Sequence, residues 1–359
     1  MITCALLILP SQVGISFLIL RAKQLLLVVL FDVYHLPQWN FLKNSIHSIP
    51  PDGRLVCCVD RSRLAQIIRK ELNGGELKVL GSYRYNFNKL SMLLLIILPR
   101  ILRLIIIIKR HKIQFVVSAN YQSNLAAKIC GVPNIVFNDD PRKGVIQIAK
   151  YSADTVYMTK GFSIPGTEEL NCLKEWAYLS PRYFRPDPSV LIPLGLEPFS
   201  YLMLREVSTK TTNYSHQKSD QLIKANICES KRVIISLEDK SKVSLVPKHW
   251  TILQEPLQDI HSLMFFATAF VSTGDSMARE AAELGVPSFY AGIRQMIANE
   301  VLVEKGLLSS GTVDNIVKDI DSMAIPNSEQ EIEHRESIRM MLDSEWEDVN
   351  QIIKEHIKK

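Results

Sequence analysis

Residues 269–287 read AFVSTGDSMAREAAELGVP. A short apolar run ends at Ser272, a Ser-Thr-Gly turn follows, and a stretch with helical character begins at once. Gly285 and Pro287 close that stretch and open another apolar run. The unit is strand, turn, helix, strand, which is the building block of a parallel α/β sheet. A helix that starts straight off a strand presents unpaired N–H groups and the positive end of its dipole. That end favours a phosphate or pyrophosphate. Gly274 removes a Cβ at the point of closest approach. Ser276 either donates to a phosphate or caps the helix. Met277 follows as a further contact, and Glu280 lies one turn on, where a carboxylate can accept from ribose hydroxyls. Asp275 opposes this reading, because its charge repels an anion unless the side chain points away. The plainer alternative is an ordinary βαβ turn, with Ser276 as a cap and Glu280 in solvent.

The same alternation extends in both directions. Upstream, residues 25–32, 54–59, 77–79, 115–118, 134–137 and 155–158 are strand-like, with helical stretches at 35–46, 62–72 and 124–130 between them. Residues 165–196 are rich in Pro, Gly and Tyr and lose periodicity, so they read as a connection between domains. Strands at 201–205 and 233–237 start a second alternation, with a helix expected at 220–227. At 359 residues, two domains are the better expectation. The division expected is a hydrophobic segment at 1–23, a first Rossmann-like domain at 24–180, a second at 181–310, and C-terminal helices at 311–359.

Composition narrows the function classes. Hydrophobic residues make up 47% and charged residues 22%, which excludes a disordered chain. The net charge of +5, without a basic stripe interleaved with aromatics, gives no case for nucleic acid. It suits an anionic membrane surface or a phosphorylated substrate. None of the six cysteines falls in a CxxC pair and no histidine pair has zinc spacing, so no metal site is expected and a reducing, cytoplasmic setting is. The apolar segment at 1–23 is either a membrane anchor or an extension outside the fold. Residues 90–108, LSMLLLIILPRILRLIIII, are followed by Lys109, Arg110, His111 and Lys112. Pro99, Arg100 and Arg103 argue against a span. A helix at 88–112 lying on the membrane, or one buried against a sheet, fits better.

At the carboxyl edge of the first sheet, where open α/β sheets bind ligands, His35 stands just past the first strand. A neutral imidazole suits removal of a proton from an acceptor hydroxyl; otherwise His35 caps the next helix. Asp139 and Asp140 follow another strand end, either as cleft acids or as loop caps. Arg205 ends the first strand of the second half, where a guanidinium can meet a diphosphate. Tyr178, in the connection, either lines the cleft or packs.

The stretch from Gly274 resembles the donor-nucleotide loop of glycosyltransferase-B enzymes and of nonhydrolysing UDP-N-acetylglucosamine 2-epimerases. Those carry a Ser-Gly turn, a helix, an acid six residues after the glycine and then Gly-x-Pro, matched here by Gly274, Glu280, Gly285 and Pro287. A closer resemblance, over residues 25–308, is to an archaeal and bacterial family that carries only a domain-of-unknown-function label within the glycosyltransferase-B superfamily. Its marks are FDVYHLPQWNFLKN (31–44), SANYQSNLAAKICGVPNIVF (118–137), LKEWAYLSPRYFRPDPSVL (173–191) and the Gly274 stretch. The resemblance implies two Rossmann-like domains facing across a cleft. It also implies a nucleotide-diphospho-sugar on the second domain at Gly274, Ser276, Met277 and Glu280. The glycan or lipid-linked acceptor would sit on the first, with His35, Asp139, Asp140 and Arg205 as catalytic candidates and no obligatory metal. The family often has a His-Asp pair after the arginine. Here that loop reads STKTTNYSHQKSD (208–220), and His216 is given no such role. The expected function is sugar transfer in envelope glycan synthesis, at the inner face of the membrane. The alternatives are a nucleotide-sugar 2-epimerase and a non-catalytic nucleotide-sugar binder or scaffold.

Overall fold

The computed structural model describes residues 27–359 except 62, 83–92, 141, 211–213, 255–258 and 325. The apolar segment at 1–23 and the start of the 88–112 helix lie outside the described residues.

The first domain runs β1 (Val29–Val33), α1 (Leu36–His47), β2 (Arg54–Asp60), α2 (Leu64–Glu71), β3 (Glu76–Ser82), α3 (Leu98–Arg110), β4 (Phe115–Ser118), α4 (Tyr121–Cys130), β5 (Asn134–Asn138), α5 (Lys143–Ser152), β6 (Thr155–Met158) and β7 (Glu168–Glu169). A connection carries the short helix α6 (Trp176–Leu179). The second domain follows with β8 (Tyr201–Glu206), β9 (Arg232–Leu237), β10 (Thr251–Ile252), α7 (Ile260–Phe265), β11 (Ala269–Ser272), α8 (Asp275–Glu283), β12 (Ser288–Tyr290), α9 (Ile297–Glu304), β13 (Leu308–Ser310) and α10 (Val313–Ser322). Two helices end the chain, α11 (Ser328–Glu345) and α12 (Val349–Lys358).

Among the described residues the strands form two parallel sheets, ordered β3-β2-β1-β4-β5-β6-β7 and β10-β9-β8-β11-β12-β13. The central strands are apolar runs because helices cover both faces; VLFDV of β1 and AFVS of β11 are buried throughout. In the first sheet the order reverses between β1 and β4, the switch point where such sheets open a crevice.

The last two helices tie the domains together. Arg335 on α11 is buried, donates to the carbonyls of Phe265 and Ala267, and stacks over Phe199 at 4.7 Å. Gly285 takes φ 75°, and a Cβ there would meet the Arg335 backbone at 3.0 Å, so only glycine lets α8 end against α11. From α12, Asn350 accepts from Ser45 on α1 at 2.7 Å and donates to the Ala177 carbonyl at 2.8 Å. The terminal helix of the chain therefore packs back on the first domain.

Two expectations change. Residues 220–227 are turns, not a helix. Asp220 takes φ 62°, outside the right-handed helical region, and Ala225 N–H bonds back to the Leu222 carbonyl as in a turn, while the Glu206 carboxylate accepts the Leu222 N–H at 2.7 Å. The apolar stretch near residue 100 is half buried. Ile101, Leu104, Ile107 and Ile108 of α3 face the sheet, while Leu98, Leu102 and Ile106 stay exposed. Arg100 does not face outward. It is 2% exposed and forms a two-pronged pair with Asp32 of β1. No helix among the described residues is long and apolar enough to cross a membrane.

Candidate functional site

The turn after β11 is locked locally. The Ser272 hydroxyl accepts from the Gly274 N–H at 2.9 Å and donates to the Gly274 carbonyl at 2.7 Å. A Cβ on Gly274 would lie 2.4 Å from Val207, so packing against the β8 loop requires this glycine. The protein's own chain approaches closely here.

Asp275 does not point away. It is 1% exposed, and its carboxylate accepts from Ser276 N–H at 3.0 Å, Tyr214 hydroxyl at 2.6 Å and Arg294 Nη1 at 2.9 Å. Arg279 stands 3.7 Å away on the same helix. Burial pushes the Asp275 carboxyl up, but Arg279, Tyr214 and Arg294 outweigh it and hold it below its ordinary value. A resident anion thus sits at the start of α8, on the same donors that a phosphate needs.

Ser276 is half-buried and its hydroxyl is 3.4 Å from Arg279 Nη2. Met277 packs against the core. Glu280 is 6% exposed, accepts from the Tyr178 hydroxyl at 2.5 Å and lies 3.5 Å from His261 Nε2. Burial raises its carboxyl, yet His261 and Tyr178 bring it below the usual range. Tyr178 therefore packs and covers Glu280 at once, and a ribose reaching this carboxylate has to take the place of the phenol. Arg205 donates to the Ser236 hydroxyl at the end of β8 and is half-buried.

Across the molecule, a cavity opens at the carboxyl ends of β1, β4, β5 and β6, with a volume of about 460 Å³ including its mouth. His35 and Asp139 line it together, with Lys174 from the connection. The chain around His35 is fixed by Gln38, which accepts from Tyr34 N–H and donates to the Ala119 carbonyl, each at 2.7 Å. The His35 carbonyl accepts from Gln38 and Trp39 N–H, so its backbone starts α1, while the ring caps nothing. Its Nδ1 is buried without a partner. Burial, then Lys174, lower the imidazole from 6.5 to about 4, so it is neutral at pH 7. Asp139 pairs with Lys174; burial raises its carboxyl, and Lys174 pulls it well below its ordinary value. Asp140 is not a cavity residue. It holds Arg142 through Nε at 2.9 Å and accepts the Arg142 N–H at 3.0 Å, as a loop cap does.

The motif LKEWAY joins the two places. Lys174 reaches Asp139 in the cavity, and its neighbour Glu175 accepts from Arg279 of α8 at 2.8 and 3.1 Å. Arg279 is 1% exposed and also donates to Asn299 at 2.9 Å. Glu283, one turn along α8, is fully buried with both oxygens unpartnered. Burial, reinforced by Glu175, pushes its carboxyl well above the usual range. Sequence reasoning missed Lys174, Glu175, Arg279, Tyr214 and Arg294. Only the Lys-Glu pair inside a quoted motif offered a signal. Among the described residues, no group of three or more His, Cys, Asp or Glu is placed to hold a metal.

No family model matches the chain, and no curated protein matches it either. Solved structures match along most of its length. MnaA of S. aureus in a co-structure with UDP has a TM-score of 0.62 at 14% identity, over 92% of this chain and 96% of that one. The glycosyltransferase SnogD from Streptomyces nogalater gives 0.61 at 10% identity, over 91% and 98%. UDP-GlcNAc 2-epimerase from Neisseria meningitidis, bound to UDP-GlcNAc, gives 0.58 at 14% identity, over 92% and 99%. With its two parallel sheets and the helices that bridge them, the chain has the two-domain glycosyltransferase-B fold.

Proposed function

We propose that this chain transfers a sugar from a nucleotide-diphospho-sugar to a glycan or lipid-linked acceptor. The observation that carries the reading is His35: a half-buried, neutral imidazole whose Nδ1 has no partner, lining a cavity at the sheet's switch point. His35 takes the proton of an acceptor hydroxyl. That oxygen bonds to the anomeric carbon as the bond from carbon to the diphosphate breaks. The leaving charge is met by the start of α8, by Arg205, and by Arg294 and Tyr214 once the diphosphate displaces Asp275. Glu280 holds the ribose after Tyr178 gives way. Two of the similar structures hold UDP or UDP-GlcNAc, which supports uridine nucleotides as the first donors to try.

An epimerase reading draws on the same neighbours, but it needs free cleft acids. Asp139 and Asp140 are each committed to a cation. The test is release of nucleoside diphosphate from UDP-sugars, with and without an oligosaccharide or lipid-linked acceptor. Release that depends on the acceptor is expected. A new sugar nucleotide formed without acceptor would replace transfer by isomerisation.

The exposed row of Leu98, Leu102 and Ile106, beside exposed Arg103, Lys109 and Arg110, supports docking of α3 on an anionic membrane at its inner face. Sedimentation with phosphatidylglycerol vesicles is expected to weaken at least about tenfold in Leu98→Asp/Leu102→Asp. Equal sedimentation of both proteins would remove the membrane from this reading.

A further inference from the structure

The cavity beside His35 has a charge inventory that restricts what enters it. Among the described residues that line it, the charged side chains are Asp139 and Lys174, and they pair with one another. The walls are Phe41, Phe137, Tyr157, Met158 and Leu170. Phe137 stacks on Tyr157 at 5.1 Å and meets Phe41 edge-on at 5.0 Å. Gln38, Asn138 and Thr159 are the neutral polar side chains in the lining, with Gln38 and Asn138 already bonded to the protein's own backbone. Among the described residues that line the cavity, the buried polar atom without a partner is His35 Nδ1. Apolar faces with a few convergent neutral polar groups select an uncharged, hydroxyl-bearing ring. The pair is partly open to solvent, with the side chains of Lys174 and Asp139 25% and 42% exposed, so a phosphate or carboxylate entering here must compete with Asp139 for Lys174 and lie beside a like charge.

We propose that this cavity seats an uncharged sugar ring of the acceptor, with one hydroxyl on His35 Nδ1, and rejects phosphorylated and carboxylated rings. The proposal rests on the transfer reading above and narrows it. The group next to the base is a neutral sugar unit, and any phosphate of a lipid-linked acceptor lies outside the cavity. Asp139 sets this preference by holding Lys174, so removing its charge should release a cation into the slot.

The test is saturation-transfer NMR on the full chain with methyl glucoside, methyl N-acetylglucosaminide, glucose 6-phosphate and glucuronate. The wild type should bind a methyl glycoside at least tenfold better than either charged sugar. Asp139→Asn should shift that preference at least tenfold toward glucose 6-phosphate. Asp139→Asn/Lys174→Met, which removes both charges, should keep the neutral ring and lose the phosphate again. This double variant decides the matter if the single one does not fold. A wild type that prefers a charged sugar, an Asp139→Asn protein that folds and keeps the wild-type preference, or a double variant that gains a charged sugar, overturns the proposal. So does absence of neutral-ring binding in a protein that binds nucleoside diphosphates. Neutral-ring binding without any nucleotide binding would leave the cavity assignment in place and remove the transfer reading instead.

Discussion

Arg279→Ala should destabilise the protein by about 3–5 kcal/mol, the cost of leaving a buried charge without its partner. Arg279 is 1% exposed and holds Glu175, also 1% exposed, at 2.8 Å. Its removal leaves Glu175 in a dry site where Glu175 Oε2 already has no partner and Glu283 stands nearby as a second carboxyl. Asp275 loses one of its cations as well. The measurement is the urea midpoint of the folded transition. Arg279→Met/Glu175→Leu, which removes both charges, should recover a large part of the loss. A single variant as stable as the wild type would mean that the bridge between the connection and α8 is not structural.

His35→Ala should lower acceptor-dependent turnover by about 10²- to 10⁴-fold, the range for loss of a general base. The pH behaviour separates this from a packing defect. With the imidazole at about 4, the base stays unprotonated through mildly acid conditions, so the acid limb of turnover should fall near pH 4 and not near 6.5. The stability linkage has the matching sign. The unfolded histidine, near 6.5, binds a proton more readily than the folded one. Its contribution to stability is therefore complete above about pH 6.5 and declines as the pH falls toward 4. His35→Ala should flatten that decline. An unchanged turnover, or an acid limb near 6.5 in the wild type, would remove His35 from the role of base.

Local pattern carried most of the architecture. The apolar runs of β1, β4, β5, β8 and β11 are strands because both faces are covered, and runs of three or four apolar residues between polar or small neighbours say so without help from distant sequence. Residues 220–227 misled because their apolar residues, Leu222, Ile223 and Ile227, are buried as a helix face would be, yet their backbone is spent on Glu206. The site was legible in its helix start and in His35. It was not legible in its partners, because ion pairs across the fold leave no periodicity. Tyr178 and Glu280 are 102 residues apart, and Glu175 and Arg279 are 104 apart. The charge of Asp275 was visible as a conflict with a phosphate. Its resolution, a carboxylate seated on Tyr214 and Arg294, belongs to tertiary structure alone.

That carboxylate also gives the most direct test of a donor site at the start of α8. Calorimetric titration with UDP, and with ADP and GDP beside it, compares the wild type with Asp275→Asn. The amide keeps the shape and gives up the charge that competes for Arg294 and Tyr214. At least about tenfold tighter binding of one nucleoside diphosphate by Asp275→Asn, with the bare nucleoside unaffected, is the expected result. Folded protein that binds no nucleoside diphosphate in either form, or a variant that binds more weakly, would contradict a diphosphate site there and leave α8 as a structural helix.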